Sequence, residues 1–503
     1  MRYRGIVLVI VLVVIVVLAL AAYTFTDLMV THRRGTRWSG RQIQARLLAE
    51  SGVAALQQFL ALDEQQRKAE GGVFDNPHRF RGVVVMHHDD PSLCGGFSVV
   101  SAAVGQQEPL EGIRFGAADE SARLNINALQ AFAGDGQDTG REMLMGLPGM
   151  TVDIADAIMD WLDADDDPRQ RGAETDYYAS LVTPYRAKNG PLDSVEELLL
   201  VRGVTRDLLF GVDQNHNYVI DPHEMHRHGG DGSNQLGWSA LLTIYSNEHT
   251  NQGKQKQKSV YVNQEDMQQL YDELLEVFGN NRVQALFVVA YRQNGPFQGQ
   301  SLMDSTTREL DLSAPAKFPI RHVLDLVDQN VQVTLLGDSE PIVLASPFKA
   351  DQVLESLPEL DAALSVYETS SIPGRINVLA APPDVLRTIS CMDEEMLQQI
   401  LAGRNSPAAQ TDDAWLLTEG VITLDQLRDI APYINNRGNT YRAQIIGYLH
   451  DGSACSRLEV VIDTSGSTPR LVMCRDLSQF GRGFSLETLG VEQSGAGILP
   501  AVR

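Results

Sequence analysis

The sequence predicts an α+β protein, in which a long amino-terminal helix, its first half in lipid, packs on a small antiparallel sheet that carries large, mainly helical insertions. Three observations point there. Ile6 to Ala22 are apolar without a break, strand-like runs sit near both ends of the chain, and the residues between them repeat apolar positions at three- and four-residue steps.

The apolar run has no polar face to turn toward water, so it belongs in a bilayer. At about 1.5 Å per residue it spans roughly 25 Å, and the mostly apolar continuation to Val30 extends it toward a hydrocarbon core of about 30 Å. Arg2 and Arg4 precede it, while Arg33, Arg34, Arg37 and Arg41 follow. A bare positive-inside count would leave the long carboxyl-terminal part in the cytoplasm, but so short an amino-terminal tail reads as the leader of an exported chain. Two processing points are on offer: Ala19-Leu20-Ala21 for ordinary signal peptidase, and Arg4-Gly5 directly ahead of Ile6. From Gln42 to Leu62, Ile43, Leu47, Leu48, Ala54, Ala55, Leu56, Phe59 and Leu60 recur at helical steps, and Ala45, Ala49 and Gly52 permit close packing. One helix from about Ile6 to Leu62 is expected, with Gly35 and Gly40 as candidate interruptions.

Phe80 to Met86 and Gly96 to Val104 read as strands separated by the turn His87-His88-Asp89-Asp90-Pro91. Paired histidines beside aspartates can hold a metal, but a solvated turn is the plainer reading. Past Asp119, Leu144, Leu147, Ile154, Ile158 and Leu162 keep helical spacing on either side of Pro148-Gly149, which implies two short helices joined by a tight turn. Such a pair either sets backbone amides against a nucleic-acid phosphate or packs a helical bundle. Asp153, Asp156 and Asp160 stand where a phosphate binder would want Lys or Arg, which favours packing.

Asp213 to Glu224 carry oxygen ligands at loop positions one, three, five, nine and twelve (Asp213, Asn215, Asn217, Asp221 and Glu224), with the carbonyl of Val219 at seven and apolar Ile220 at eight. That is the calcium-loop pattern of EF-hands, except that Tyr218 stands at position six, where the sharp turn wants glycine. An ordinary turn is the alternative. Trp238 to Tyr245 reads as a strand. Val260-Tyr261-Val262-Asn263 with a helix over Glu265 to Phe278 repeats the unit Leu124-Asn125-Ile126-Asn127 and its helix, and Arg375-Ile376-Asn377-Val378 begins it again. Strands Tyr441 to Leu449, Arg457 to Asp463 and Arg470 to Arg475 follow, then a loose tail from Gly481. The expected divisions are 1–62, 63–118, 119–235, 236–371, 372–438 and 439–503.

The 503 residues suffice for two to four domains, and the net charge of −24 argues against a nucleic-acid-binding surface, which would need clustered Lys and Arg, while suiting calcium. Cys455 and Cys474 flank a strand pair and either bridge or stay as two thiols; Cys94 and Cys391 have no evident mate. No G-x-S-x-G, H-E-x-x-H or Cys-His signature supports a hydrolase.

The succession Arg123-Leu124-Asn125-Ile126-Asn127, Asp160-Trp161-Leu162-Asp163-Ala164-Asp165, Gly172-Ala173-Glu174, Tyr177, Asn189-Gly190-Pro191-Leu192 and Glu196-Glu197-Leu198 resembles the large minor pseudopilin of type II secretion systems, the general secretion pathway protein K family. The resemblance covers most of Met1 to Gly211 and roughly Arg375 to Gln479; about Gly279 to Ser371 is an expansion beyond it. It implies a pseudopilin fold with an inserted helical domain holding structural calcium, for which Asp163, Asp165, Asp166, Asp167 and Glu174 are the fitting positions. Calcium wants six to eight hard oxygens, and this stretch crowds carboxylates on a turn. The resemblance also implies a prepilin peptidase that cuts after Gly5 and methylates Ile6. It further implies an inner-membrane, single-pass subunit with its bulk in the periplasm and no catalytic task. Its partners would be other minor pseudopilins, through the amino-terminal helices, and the inner-membrane secretion platform, with no nucleic acid expected. Pilin-like subunits usually carry a glutamate five residues after the cut; here Ile10 stands there and no acid precedes Asp27. An unmatched buried carboxylate is costly, so its loss suits a subunit at the filament tip. A DNA-uptake or type IV minor pilin is the alternative.

Overall fold

The computed structural model describes residues 4–90, 93–103, 112–132, 138–221, 224, 236–249, 259–299, 309–337, 340–350, 357, 360, 363–368, 371–409 and 414–491. Helix α1 runs unbroken over Arg4–Leu60, 57 residues. Gly35 and Gly40 do not interrupt it: a glycine costs a helix interior only about 1 kcal/mol, and the hydrogen-bond ladder continues through both. Among the described residues nothing covers the first half, and Leu8 through Val30 are exposed. The second half buries Ala45, Ala49, Leu56 and Phe59 completely.

What they bury against is an antiparallel sheet of strands β1 (Val83–Met86), β2 (Gly95–Ala102), β3 (Thr440–Leu449), β4 (Cys455–Asp463) and β5 (Arg470–Asp476), in that spatial order. Two short segments, Ile113–Arg114 and Ala118–Asp119, extend it along β2 and β3. Phe97, Val99, Ala443, Ile445, Leu458, Val460 and Ile462 form one apolar face against α1. Contact is close enough to exclude side chains: a Cβ on Gly447 would lie 2.2 Å from the Ala45 carbonyl oxygen. The first strand is shorter than expected because Phe80 instead ends the turn of helix Pro77–Phe80, started by Asn76 and Pro77.

Between β2 and β3 the chain builds three similar units, each opening and closing on short parallel strands. Leu124–Asn125 pairs with Leu242–Thr243, Val260–Tyr261 with Leu364–Ser365, and Ile376–Asn377 with Ile434–Asn435. The expected strand Trp238 to Tyr245 thus shrinks to two residues behind a 3-10 turn at Trp238–Ala240. Each unit holds a helix pair. In the first these are α2 (Thr139–Met145) and α3 (Val152–Leu162), and in the second Met267–Val277 and Arg282–Asn294. The likeness extends to detail, because the Asn127 amide brackets Leu192 by bonding its N–H and its C=O, and Asn263 does the same to Ile320. The middle unit leaves and rejoins the rest through one antiparallel ladder, Asn247–His249 with Ser371–Pro373. Arg428 of the third unit holds it by donating to the carbonyls of Leu324 and Val327.

The expected loose tail is in part a packed segment. Phe484 and Leu489 are buried against Val100, Ile446 and Tyr448, and the Leu489 carbonyl accepts from Ser98 and Tyr448 hydroxyls; residues 492–503 lie outside the described residues. Cys455 and Cys474 are free thiols. Register explains why: Cys474 pairs opposite Val460, five positions along β4 from Cys455, roughly 17 Å at strand spacing and far beyond disulfide reach.

Candidate calcium centre and the clasp beside it

Helix α3 is started by Thr151, whose hydroxyl accepts from the Ile154 N–H, and it ends at Leu162 with Asp163 as its cap. Its buried face, Ile154, Ala155, Ile158 and Leu162, joins Leu144 and Leu147 in one apolar core. The helix pair therefore serves packing, and Asp156 meets Arg141 at 2.6 Å rather than facing a polyanion. Asp160 and Asp163, three residues apart, project from the same side of the last turn. The chain returns at Gly172-Ala173-Glu174 so that single oxygens of Asp160, Asp163 and Glu174 lie within 4.8 Å of one another. Among the described residues no other trio of His, Cys, Asp or Glu converges so closely. Gly172 makes the approach possible: a Cβ there would sit 1.7 Å from an Asp160 oxygen.

Charge in this trio is poorly matched. Asp160 is fully buried and accepts from the Arg169 N–H, with the Arg169 guanidinium 3.4 Å away. Both Glu174 oxygens and one Asp163 oxygen are buried with no hydrogen-bond partner. Desolvation, then neighbouring carboxylates, push Asp163 up to about 6 and Glu174 up to about 7. Orphaned buried oxygens of one sign form a cradle for a hard cation, and the donor set, all carboxylate, fits calcium.

Of the expected ligands, Asp163 and Glu174 are brought together. Asp165, Asp166 and Asp167 lie exposed on the rim: Asp165 accepts from the Asp167 N–H and Asp166 from the Asn189 amide. Asp160 escaped sequence reasoning because it stood inside a helix. The i, i+3 spacing to Asp163 was the available signal.

In the second loop, Asp213, Asn217 and Glu224 are buried. Asp213 accepts from the Asn217 and Tyr218 N–H groups at 3.1 and 2.9 Å. Glu224 accepts from Gln214, Asn215 and Asp221 N–H groups, and the Asn215 amide donates to Asp221. Val219 donates its N–H to the Asn217 oxygen. Tyr218 adopts φ +63°, the left-handed backbone a glycine would take, and its hydroxyl reaches Glu459 at 3.2 Å. The loop has the turn its pattern requires, with its carboxylates closed on its own amides.

This loop sits on the sheet face opposite α1. Arg457 donates to the carbonyls of Asn215 and His216, Gln444 donates to that of His216, and Asn217 donates to that of Gly483. Beside them Arg442 holds fully buried Glu120 in a two-pronged pair at 2.6 and 2.8 Å and approaches Glu459 at 3.3 Å. Arg475 pairs with Glu196. Charged residues on alternate positions of β3 and β4 thus clasp the first inserted unit to the sheet.

The fold is thus a long helix, uncovered in its first half and there long and apolar enough to cross a membrane, seated on an antiparallel sheet with inserted helical units. Residues 122–211 match the family model of type II secretion system (T2SS) protein K. A type II secretion system protein K from Pectobacterium carotovorum subsp. carotovorum is 46% identical over 55 residues, 11% of this chain and 17% of that protein's length. The GspK-GspI-GspJ complex from the type 2 secretion system of enterotoxigenic Escherichia coli contains a chain matched over 88% of this one and 99% of that one, at 12% identity and a TM-score of 0.34.

Proposed function

We propose that the protein is a non-catalytic minor pseudopilin that stands at the tip of the type II secretion pseudopilus and helps start its assembly, and thereby export across the outer membrane. One observation carries this: α1 is a single rod, clasped to the sheet only from Arg41 onward, so that its apolar first half is free to lie in lipid or against the helices of sibling subunits. The match of residues 122–211 to the protein K family model supports the choice of system. Ile10 in place of an acid, and inserted units too bulky to repeat along a filament, support the tip. Prepilin peptidase cuts after Gly5, and the anchored chain spans the inner membrane once, its bulk in the periplasm, where other minor pseudopilins and the secretion platform meet it. Calcium in the Asp160, Asp163 and Glu174 cradle neutralises the trio and fixes the first unit; the Asp213 to Glu224 loop is the second place for an ion.

Mass spectrometry of the mature amino terminus decides the central point. Methylated Ile6, with sibling subunits co-purifying, is expected. A mature chain beginning at Ala22, free in solution, overturns the proposal.

A further inference from the structure

Although the chain holds 65 acidic residues against 41 basic ones, no acid occurs between Asp27 and Glu50, and Arg33, Arg34, Arg37, Arg41 and Arg46 all fall there. Those nearest the globular part are paired: Arg41 with Asp451 at 2.8 Å, and Arg46 with Glu50 and Asp476. Arg33, Arg34 and Arg37 are exposed and have no ion-pair partner among the described residues. At about 100° per residue these three occupy roughly a 100° arc of α1, with Trp38 at its margin. Trp38 is 64% exposed, whereas Trp161, Trp238 and Trp415 are buried.

Resting on the membrane-anchor reading, we infer that Arg33, Arg34, Arg37 and Trp38 form a collar that binds the phosphates of anionic phospholipid headgroups, on the membrane face where the globular part lies. Position selects lipid as the occupant. Arg33 follows the apolar segment by one turn, and Arg37 lies about 10 Å beyond Val30 at 1.5 Å per residue, within reach of the headgroup layer for a side chain that bends back. Chemistry agrees: guanidinium pairs with phosphate through two parallel hydrogen bonds, and an exposed tryptophan at that depth matches the interfacial aromatic belt. A segment free of acids in so acidic a chain is the complement of an anionic surface. The collar gives the membrane a composition-dependent hold on the anchor, which must release when the rod is lifted out of the bilayer.

The test uses the full chain reconstituted in vesicles of phosphatidylcholine alone or with three parts in ten phosphatidylglycerol. Flotation reports the anchor, and quenching by brominated lipid reports Trp38, assigned by its loss in W38F. Stronger quenching in the anionic vesicles, abolished in R33Q/R34Q/R37Q and by high salt, is expected. At roughly fivefold per arginine near an anionic surface, transfer out of anionic vesicles should be on the order of a hundredfold slower for the native chain than for the triple variant. Flotation with equal quenching and equal transfer in both vesicles overturns the collar and leaves the anchor standing. A chain that does not float overturns both. A Trp38 change that requires sibling subunits and ignores phosphatidylglycerol overturns the collar in favour of a protein partner.

Discussion

Glu174 is the residue on which the calcium proposal turns. A carboxyl whose folded pKa lies above its unfolded one makes the folded state the better proton binder, so the fold weakens as pH rises between the two values. For Glu174 that window runs from 4.5 to about 7, and for Asp163 from 3.8 to about 6. A bound cation removes the repulsion and cancels the loss. In chelator, then, Glu174→Gln should be at least as stable as the native protein at pH 7.5, and its stability should depend less on pH down to roughly pH 5. With calcium the order reverses, because the native protein gains and the variant gains less. Differential scanning calorimetry with and without calcium reads both; a native midpoint indifferent to calcium at pH 7.5 argues against the site. Gly172→Ala gives a sharper version. Its Cβ would displace Asp160, so the share of calcium binding due to the Asp160, Asp163 and Glu174 trio should vanish from titration calorimetry and the thermal midpoint should fall. The acids of this site were legible as a crowded stretch. Which of them converge was not, because convergence is set by the return of the chain at Gly172 and by a helix terminus, neither of which composition shows.

At the scale of elements, the sheet explains both the success and the limit of pattern reading. The strands β3 and β4 were legible, and their apolar set faces α1, as expected of a sheet that this helix covers on one face. Polar Arg442, Gln444, Arg457 and Glu459 intervene, and all are buried under the inserted unit. A polar residue looks the same in sequence whether water or another domain meets it. Burial pushes Glu120 up, but Arg442 and Arg123 outweigh it and hold the carboxyl at about 2. Its contribution is therefore complete above pH 4.5 and disappears only as pH falls through about 2. Arg442→Met takes from buried Glu120 its two-pronged partner and leaves it only the field of Arg123 and a hydrogen bond with Thr243, which should cost up to about 3–5 kcal/mol in denaturant unfolding, largely restored by adding Glu120→Gln. If the single variant loses less than about 1 kcal/mol, the value typical of an exposed pair, the clasp is not holding the unit.

At the scale of the whole molecule, the chain is one rod-and-sheet body that carries three copies of a strand-bounded helical unit. The copies were traceable from Leu124-Asn125-Ile126-Asn127 and its two echoes, but their number was not. In the third copy Leu379 replaces the asparagine that brackets a distant backbone segment in the other two, so the signature fades where its partner is lost. The region beyond the family resemblance belongs to the middle copy. That copy is joined at a single ladder, whose His249 and Ser371 lie opposite each other at ordinary strand spacing of about 5 Å. A two-residue turn can close such a gap. Replacing residues 250–370 by Asn-Gly should therefore leave the first and third units folded, with helical circular dichroism in proportion and the calcium response of the Glu174 site intact. The loss falls on the third unit. Arg428 gives up both backbone acceptors and keeps only exposed Asp425, and the apolar surface that met the middle unit becomes wet. A fall of a few kcal/mol in stability with calcium binding unchanged is the expected result. Collapse of the calcium response together with the fold would show instead that the three copies make one indivisible core, and that the middle unit is a structural necessity of the molecule and not an accessory to it.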